Sequence, residues 1–455
     1  MKRAVKAVLF VTSMFLYVNA SGDFQPCQQW TKQLSVASSF GPALVVPLSH
    51  DAGYAVAGTT GDMNECFFLL VTDRSGNEAW HATYSTFPGG SVIGVQYVHS
   101  VVSLADGGFV LAGSRNVCLP GSQEAAWVLR TNAAGKVLWT SVFGANGQNP
   151  DSGFSAECIL PTPFGHFFVS GRQGNSPWMC CLDAKGSVVW SHNNYTGSSF
   201  TSLSLWLPDH IAAAGISWEN SLKSLFINLT EPAGICRTAR VSSTNASGQC
   251  PNAVLVSPYR VVYTAVTDPA NGEVVISSYD ANADLVWEKS LYFRGSGYST
   301  IRSLTDASDG GILAAGDLTT DPYTAPQGIW LTLLDSRGNI AWQWITYAAH
   351  MTRSTAAVGE HDAIIVAEQY SPTSGNLVLM KLTARPFPVA VSTAGPASSA
   401  TGLPGARQRS PVPLFDVAGR AVCRPGANAA APLPAGIYFD RSHSSRSLFL
   451  GSAAR

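Results

Sequence analysis

Nine cysteines, nine histidines and 29 acidic residues supply the side chains from which a reactive site could be assembled. The cysteines stand at 27, 66, 118, 158, 180, 181, 236, 250 and 423, with no C-x-x-C among them. The histidines form neither H-x-H nor H-E-x-x-H, so the spacing points to no metal and no cofactor. G-x-S-x-G is absent too, and with it the usual setting of an esterase nucleophile. Cys236 and Cys250 flank the polar loop RTARVSSTNASGQ and could close it as a disulfide; Cys118 with Cys158 is the weaker second pair. His99, His166 and His210 read as surface or core histidines.

The acidic residues of D-G-G and D-x-x-G recur with the repeat, and turn chemistry accounts for them. Three charged residues stand out as departures from the repeat. Glu157, Arg302 and Arg353 each interrupt a stretch that is otherwise apolar or small. They are the candidate ligand-binding residues, and no catalytic residue can be named.

The elements that would position them come from a repeat. SVVSLADGGFVLAGSR (100–115) followed by AAWVLRTNAAGKVLWTSVFG (125–144) is its clearest copy. Others begin near residues 45, 159, 204, 255, 301 and 356, for seven in all. Trp80, Trp139, Trp190, Trp287 and Trp342 are in phase, and Thr238 fills the slot in the fourth copy. Each copy reads as four short strands, with D-G-G joining the first two and D-x-x-G the last two. Asp bonds its own backbone two residues on, and Gly takes the φ > 0 position. Four-stranded units at a period of roughly 50 residues, none able to bury both faces alone, describe a β-propeller.

The seventh copy stops at KLTARPFP without its Trp strand, whereas CQQWTKQLSV (27–36) precedes the first copy. The sequence therefore predicts an all-β, seven-bladed propeller closed by an N-terminal strand, with the first strands lining a central channel that displays Glu157, Arg302 and Arg353.

The repeat resembles a bacterial and archaeal propeller family built on D-G-G-(aromatic)-x-x-x-G and D-x-x-G-x-x-x-W, a resemblance that implies the fold and no activity. The quinoprotein spacing of Asp and Trp and the sialidase Asp-box spacing are both missed. A second resemblance lies in the tail, through Leu414-Phe415-Asp416, Gly419-Arg420, Leu433-Pro434-Ala435-Gly436-Ile437-Tyr438-Phe439 and Arg446. It is similar to the C-terminal sorting domain of the type IX secretion system, which implies a small β-sandwich-like domain that engages the export machinery.

Composition fits that address. Only 13% of residues are charged, and the net charge of −1 excludes an ordinary nucleic-acid binder. Lys2, Arg3 and Lys6 precede an apolar run from Ala7 to Val18, too short for a transmembrane segment and suited to a signal peptide over 1–20. The expected organisation is a propeller over 21–388, a linker over 389–411 and a sorting-type β domain over 412–455. Charge divides at the same place, −9 over 21–402 and +5 over 403–455. The functional expectation is a secreted or outer-surface module, non-catalytic, binding an extracellular glycan, peptide or surface protein. The alternative is an extracellular polysaccharide hydrolase or lyase with carboxylates at the channel mouth.

Overall fold

The structure is a computed structural model. It describes residues 26–34, 43–60, 66–85, 94–117, 124–144, 153–193, 199–207, 210–217, 224–230, 236–243, 253–268, 272–293, 298–307, 310–319, 328–347, 351–358, 362–369 and 376–383, with 414–416, 421–423, 436–440 and 448–451. The proposed signal peptide and linker lie outside the described residues. The chain divides into two units, Met1–Val389 and Ala390–Arg455.

In the first unit each repeat occupies one four-stranded antiparallel sheet, in a β-propeller arrangement. The first sheet contains Leu44–Pro47, Tyr54–Thr59, Phe67–Thr72 and Glu78–Tyr84, hydrogen-bonded in chain order. Five further sheets follow over 94–143, 154–192, 199–243, 253–291 and 298–346. The last sheet takes Met351–Val358, Asp362–Gln369 and Asn376–Thr383 from the seventh repeat and Cys27–Leu34 as its outer strand. The first strands of successive sheets pack side by side, and the cycle closes where Leu44–Pro47 meets Met351–Val358.

Burial explains the strand sequences. Phe67–Thr72 is covered on both faces, so it reads FFLLVT without alternation. Glu78–Tyr84 is an outer strand with one face in solvent and alternates accordingly. The core is a series of apolar clusters, each shared by two adjacent sheets. One such cluster joins Leu34, Leu377 and Leu379 of the last sheet to Val45, Tyr54, Val56, Phe68 and Leu70 of the first, with Trp30 packed against it. Burying one such Leu or Phe contributes about 1.5–3 kcal/mol, so each junction depends on both of its sheets.

The outer strands share one register. Val71 pairs with Trp80, Arg130 with Trp139, Cys181 with Trp190, Ser278 with Trp287 and Leu333 with Trp342, each beside a bulge. Lys381 pairs with Trp30 beside the same bulge, which makes Cys27–Leu34 the equivalent strand of the last sheet. Thr238 holds the position in the fourth sheet, opposite Leu229.

The turns behave as their residues require. Asp73 Oδ1 accepts from the backbone N–H groups of Ser75 and Asn77 at 2.8 and 2.9 Å, and Asn132, Asp183 and Asp335 repeat the pattern. Arg130 ties two such turns together, donating to Asp106 Oδ2 at 2.7 Å and to the Ala184 carbonyl at 3.1 Å.

The second unit holds one antiparallel sheet, ordered Ala421–Cys423, Leu414–Asp416, Gly436–Asp440 and Leu448–Gly451. Among the described residues it is a single layer, where a sandwich-like domain was expected.

Candidate functional site

The first strands carry a local irregularity at an equivalent place. In the second sheet Val98 pairs with Gly113 and Ser100 with Ala112, which leaves His99 as the extra residue of a bulge. Glu157 is the extra residue in the third sheet, Thr201 in the fourth and Arg302 in the sixth. In the last sheet the irregularity falls between Thr352 and Thr355 and contains Arg353. All three charged residues picked out in the sequence therefore occupy bulges of the inner cycle. The pairings of Leu44–Pro47 and Ala253–Ser257 with their second strands have no such shift.

In the second, third and sixth sheets a glycine on the neighbouring strand makes room for the bulge. A Cβ on Gly171 would stand 1.9 Å from the Ser155 carbonyl oxygen, and Gly113 and Gly316 meet the carbonyls of Tyr97 and Thr300 equally closely. The glycine that ends the repeat's second strand is thus the contact that lets the first strand bend, and the bend re-aims one side chain. In the second, third and sixth sheets the bulges lie near the middle of the first strands, at equivalent places around the inner cycle.

Glu157 is held from two sides. The Ser155 hydroxyl donates to Oε1 at 2.5 Å, and His99 Nδ1 of the preceding sheet lies 3.7 Å from Oε2. His99 Nε2 is 3.2 Å from the Ser114 hydroxyl, and the His99 ring centre is 6.5 Å from that of Tyr97, which is 41% exposed. His99 and Glu157 remain partly open to solvent. Together they offer one aromatic face, a hydrogen-bonding imidazole and an oriented carboxylate. Glu124 and Arg172 form an ion pair between the second and third sheets.

Arg302 is positioned differently. Its Nε donates to Oδ2 of Asp317 at 2.6 Å, and Asp317 is fully buried. The other oxygen of Asp317 accepts from the backbone N–H and hydroxyl of Ser354, at 3.2 and 3.1 Å, across the junction to the last sheet. A buried carboxylate is tolerable only when paired and hydrogen-bonded, and these three donors meet that requirement. The side chain of Arg353 lies outside the described residues.

The cysteine expectations fare differently. Cys250 and Cys118 lie outside the described residues, and only the backbone of Cys236 is described. Cys158 is a free thiol, which corrects the weaker pairing with Cys118. The bulge at Glu157 turns Cys158 into the apolar junction of the third and fourth sheets, where burial pushes its thiol up to about 11. Cys27, Cys66, Cys180 and Cys181 are also free. Among the described residues no group of three His, Cys, Asp or Glu is placed to hold a metal ion.

The sequence reads His99 as a surface or core histidine, because a lone histidine in a strand is ordinary. The available signal was its place, two residues before the V-V-S that pairs into the D-G-G hairpin, one repeat ahead of Glu157.

The sheet topology makes the described part of the first unit a β-propeller. No family model and no curated protein matches the sequence. Solved structures similar to it include two of Sqt1 from Chaetomium thermophilum, each at TM-score 0.44 and 11% identity. The matches cover 77% and 78% of this chain and 97% and 100% of theirs. No helix among the described residues is long and apolar enough to cross a membrane.

Proposed function

We propose that the protein is an exported, seven-bladed propeller that binds an extracellular glycan without catalysis, through the inner-strand bulges that line its ring. The observation that carries this reading is the His99–Glu157–Ser155 arrangement beside the exposed ring of Tyr97. Sugar rings present one apolar C–H face and a rim of hydroxyls, and an aromatic face beside fixed donors and acceptors meets both. Export rests on residues 1–20, and delivery to the surface rests on the tail's likeness to a sorting domain.

The test is a binding screen of the full chain against bacterial and host surface glycans, with release of new reducing ends followed in parallel. Glu157→Gln and His99→Ala should each weaken binding about tenfold without lowering the melting temperature. Appearance of new reducing ends would favour a hydrolase or lyase instead. For the address, removing 403–455 should abolish surface display in a host with the type IX machinery, and continued display would refute it.

A further inference from the structure

We infer that Arg302 is the receptor for a carboxylate on the bound glycan, so that the ligand is an acidic, uronate-bearing oligosaccharide; this rests on the glycan reading above.

Three features converge on Arg302. First, it is the extra residue of a bulge, fixed in place by the close approach of Gly316 to the Thr300 carbonyl. Second, a fully buried partner takes only its Nε. Asp317 is in turn locked by the backbone N–H and hydroxyl of Ser354, so the orientation of the guanidinium is set by two sheets. Third, the Arg302 side chain is still 42% exposed while Asp317 is 0% exposed. The planar outer edge, with its terminal N–H groups, is therefore presented to solvent in a fixed direction. That edge matches the two oxygens of a carboxylate, which a lysine ammonium would not do.

Arginine engaged only in a structural pair would be covered along with its partner. Here the acid is covered and the base is open. Because Asp317 balances the charge, recognition depends on donor direction rather than on net positive potential. Selectivity for the acid should therefore persist at moderate salt, unlike adsorption to a basic patch. Arg302 stands on the same inner cycle, at the same level of the first strands, as Glu157 and His99.

The experiment is calorimetric titration of the full chain with oligogalacturonate and with the same oligomer after carboxyl reduction, at two salt concentrations. The acidic oligomer should bind about 10–100-fold more tightly, the range expected for charge-assisted hydrogen bonds. Arg302→Ala should remove that preference, so that the acidic oligomer binds no more tightly than the reduced one. Arg302→Lys, which keeps the charge and loses the fork, should retain only part of it and guards against loss of folding in the alanine variant. Equal affinity for both oligomers in the unaltered protein, or a preference surviving Arg302→Ala, would overturn the assignment while leaving glycan binding intact. A preference for an acidic peptide with a free C-terminal carboxylate over both oligomers would overturn it as well. Failure of both oligomers to bind, with the glycan screen also empty, would remove the parent reading.

Discussion

The indole of Trp30, on the outer strand of the last sheet, lies directly over the α-carbon of Gly76 in the first sheet. A Cβ on Gly76 would stand 2.6 Å from ring carbons Cη2 and Cζ3, and the residue's φ is +76°. The same contact joins Trp80 to Gly135, Trp139 to Gly186 and Trp287 to Gly338. Each Trp thus closes on the D-x-x-G turn of the following sheet, and in two cases the indole N–H also donates to that turn, Trp139 to Ala184 and Trp287 to Ser336. The contact that seals the two chain ends is one of a set.

Gly76→Ala combines an unfavourable φ with a clash against Trp30, and should cost about 2–4 kcal/mol in denaturant unfolding. In a Trp30→Ala background the same change should cost about 1–2 kcal/mol, the φ contribution alone. Equal costs in both backgrounds would mean the indole does not press on the turn.

The fourth sheet has Thr238 in the Trp slot, and the turn of the fifth has Ala283, at φ +64°, where the others have Gly. The two departures belong together, since without the indole a Cβ at 283 meets no ring. Ala283→Gly should therefore stabilise the protein, by about 1 kcal/mol, through relief of the left-handed backbone. A rise in melting temperature is the expected readout; a fall would contradict the pairing.

The tryptophans differ in depth. Trp342 is 2% exposed within the cluster between the sixth and last sheets, and Trp342→Ala should cost about 3–5 kcal/mol. Trp139 is half-buried on the rim, and its removal should cost less than half of that. Denaturation midpoints of the two variants give the ranking.

Two kinds of aspartate give opposite pH responses. Hydrogen bonds from Asn77 hold the Asp73 carboxyl below its usual range, so its contribution is present above pH 3.8 and is lost as the pH falls through its folded value. Asp306 is pushed up to about 6 by burial, and its Oδ1 is buried without a hydrogen bond. Above pH 6 its charge weakens the fold, and protonation relieves that cost between pH 6 and 3.8. Asp306→Asn should stabilise the protein by about 1–2 kcal/mol at pH 7–8 and have little effect near pH 4. Melting temperatures across this range, with the variant gaining nothing at pH 8, would refute the assignment.

Much of the fold was legible because its signals are periodic. The D-x-x-G turns use residues whose side chains and φ preferences dictate the turn, and the Trp phase marks the closing strand at Trp30. The bulges were not legible as such. One extra residue in a strand brings no turn residue with it, and only the charge of Glu157, Arg302 and Arg353 betrayed the position. His99 and Thr201 share it but are ordinary residues for a strand, and nothing in their type marks the bulge. The glycines at 113, 171 and 316 were visible, but the carbonyl that each admits comes from about 16 residues earlier and is apparent only in three dimensions.

Hydrogen–deuterium exchange of the full chain with and without its glycan tests the central claim most directly. Binding at the bulges should slow exchange in the first strands around His99, Glu157 and Arg302, and leave the turns at Asp73, Asn132, Asp183 and Asp335 unchanged. Protection confined to those turns, or to the outer strands that carry Trp80 and Trp139, would contradict it.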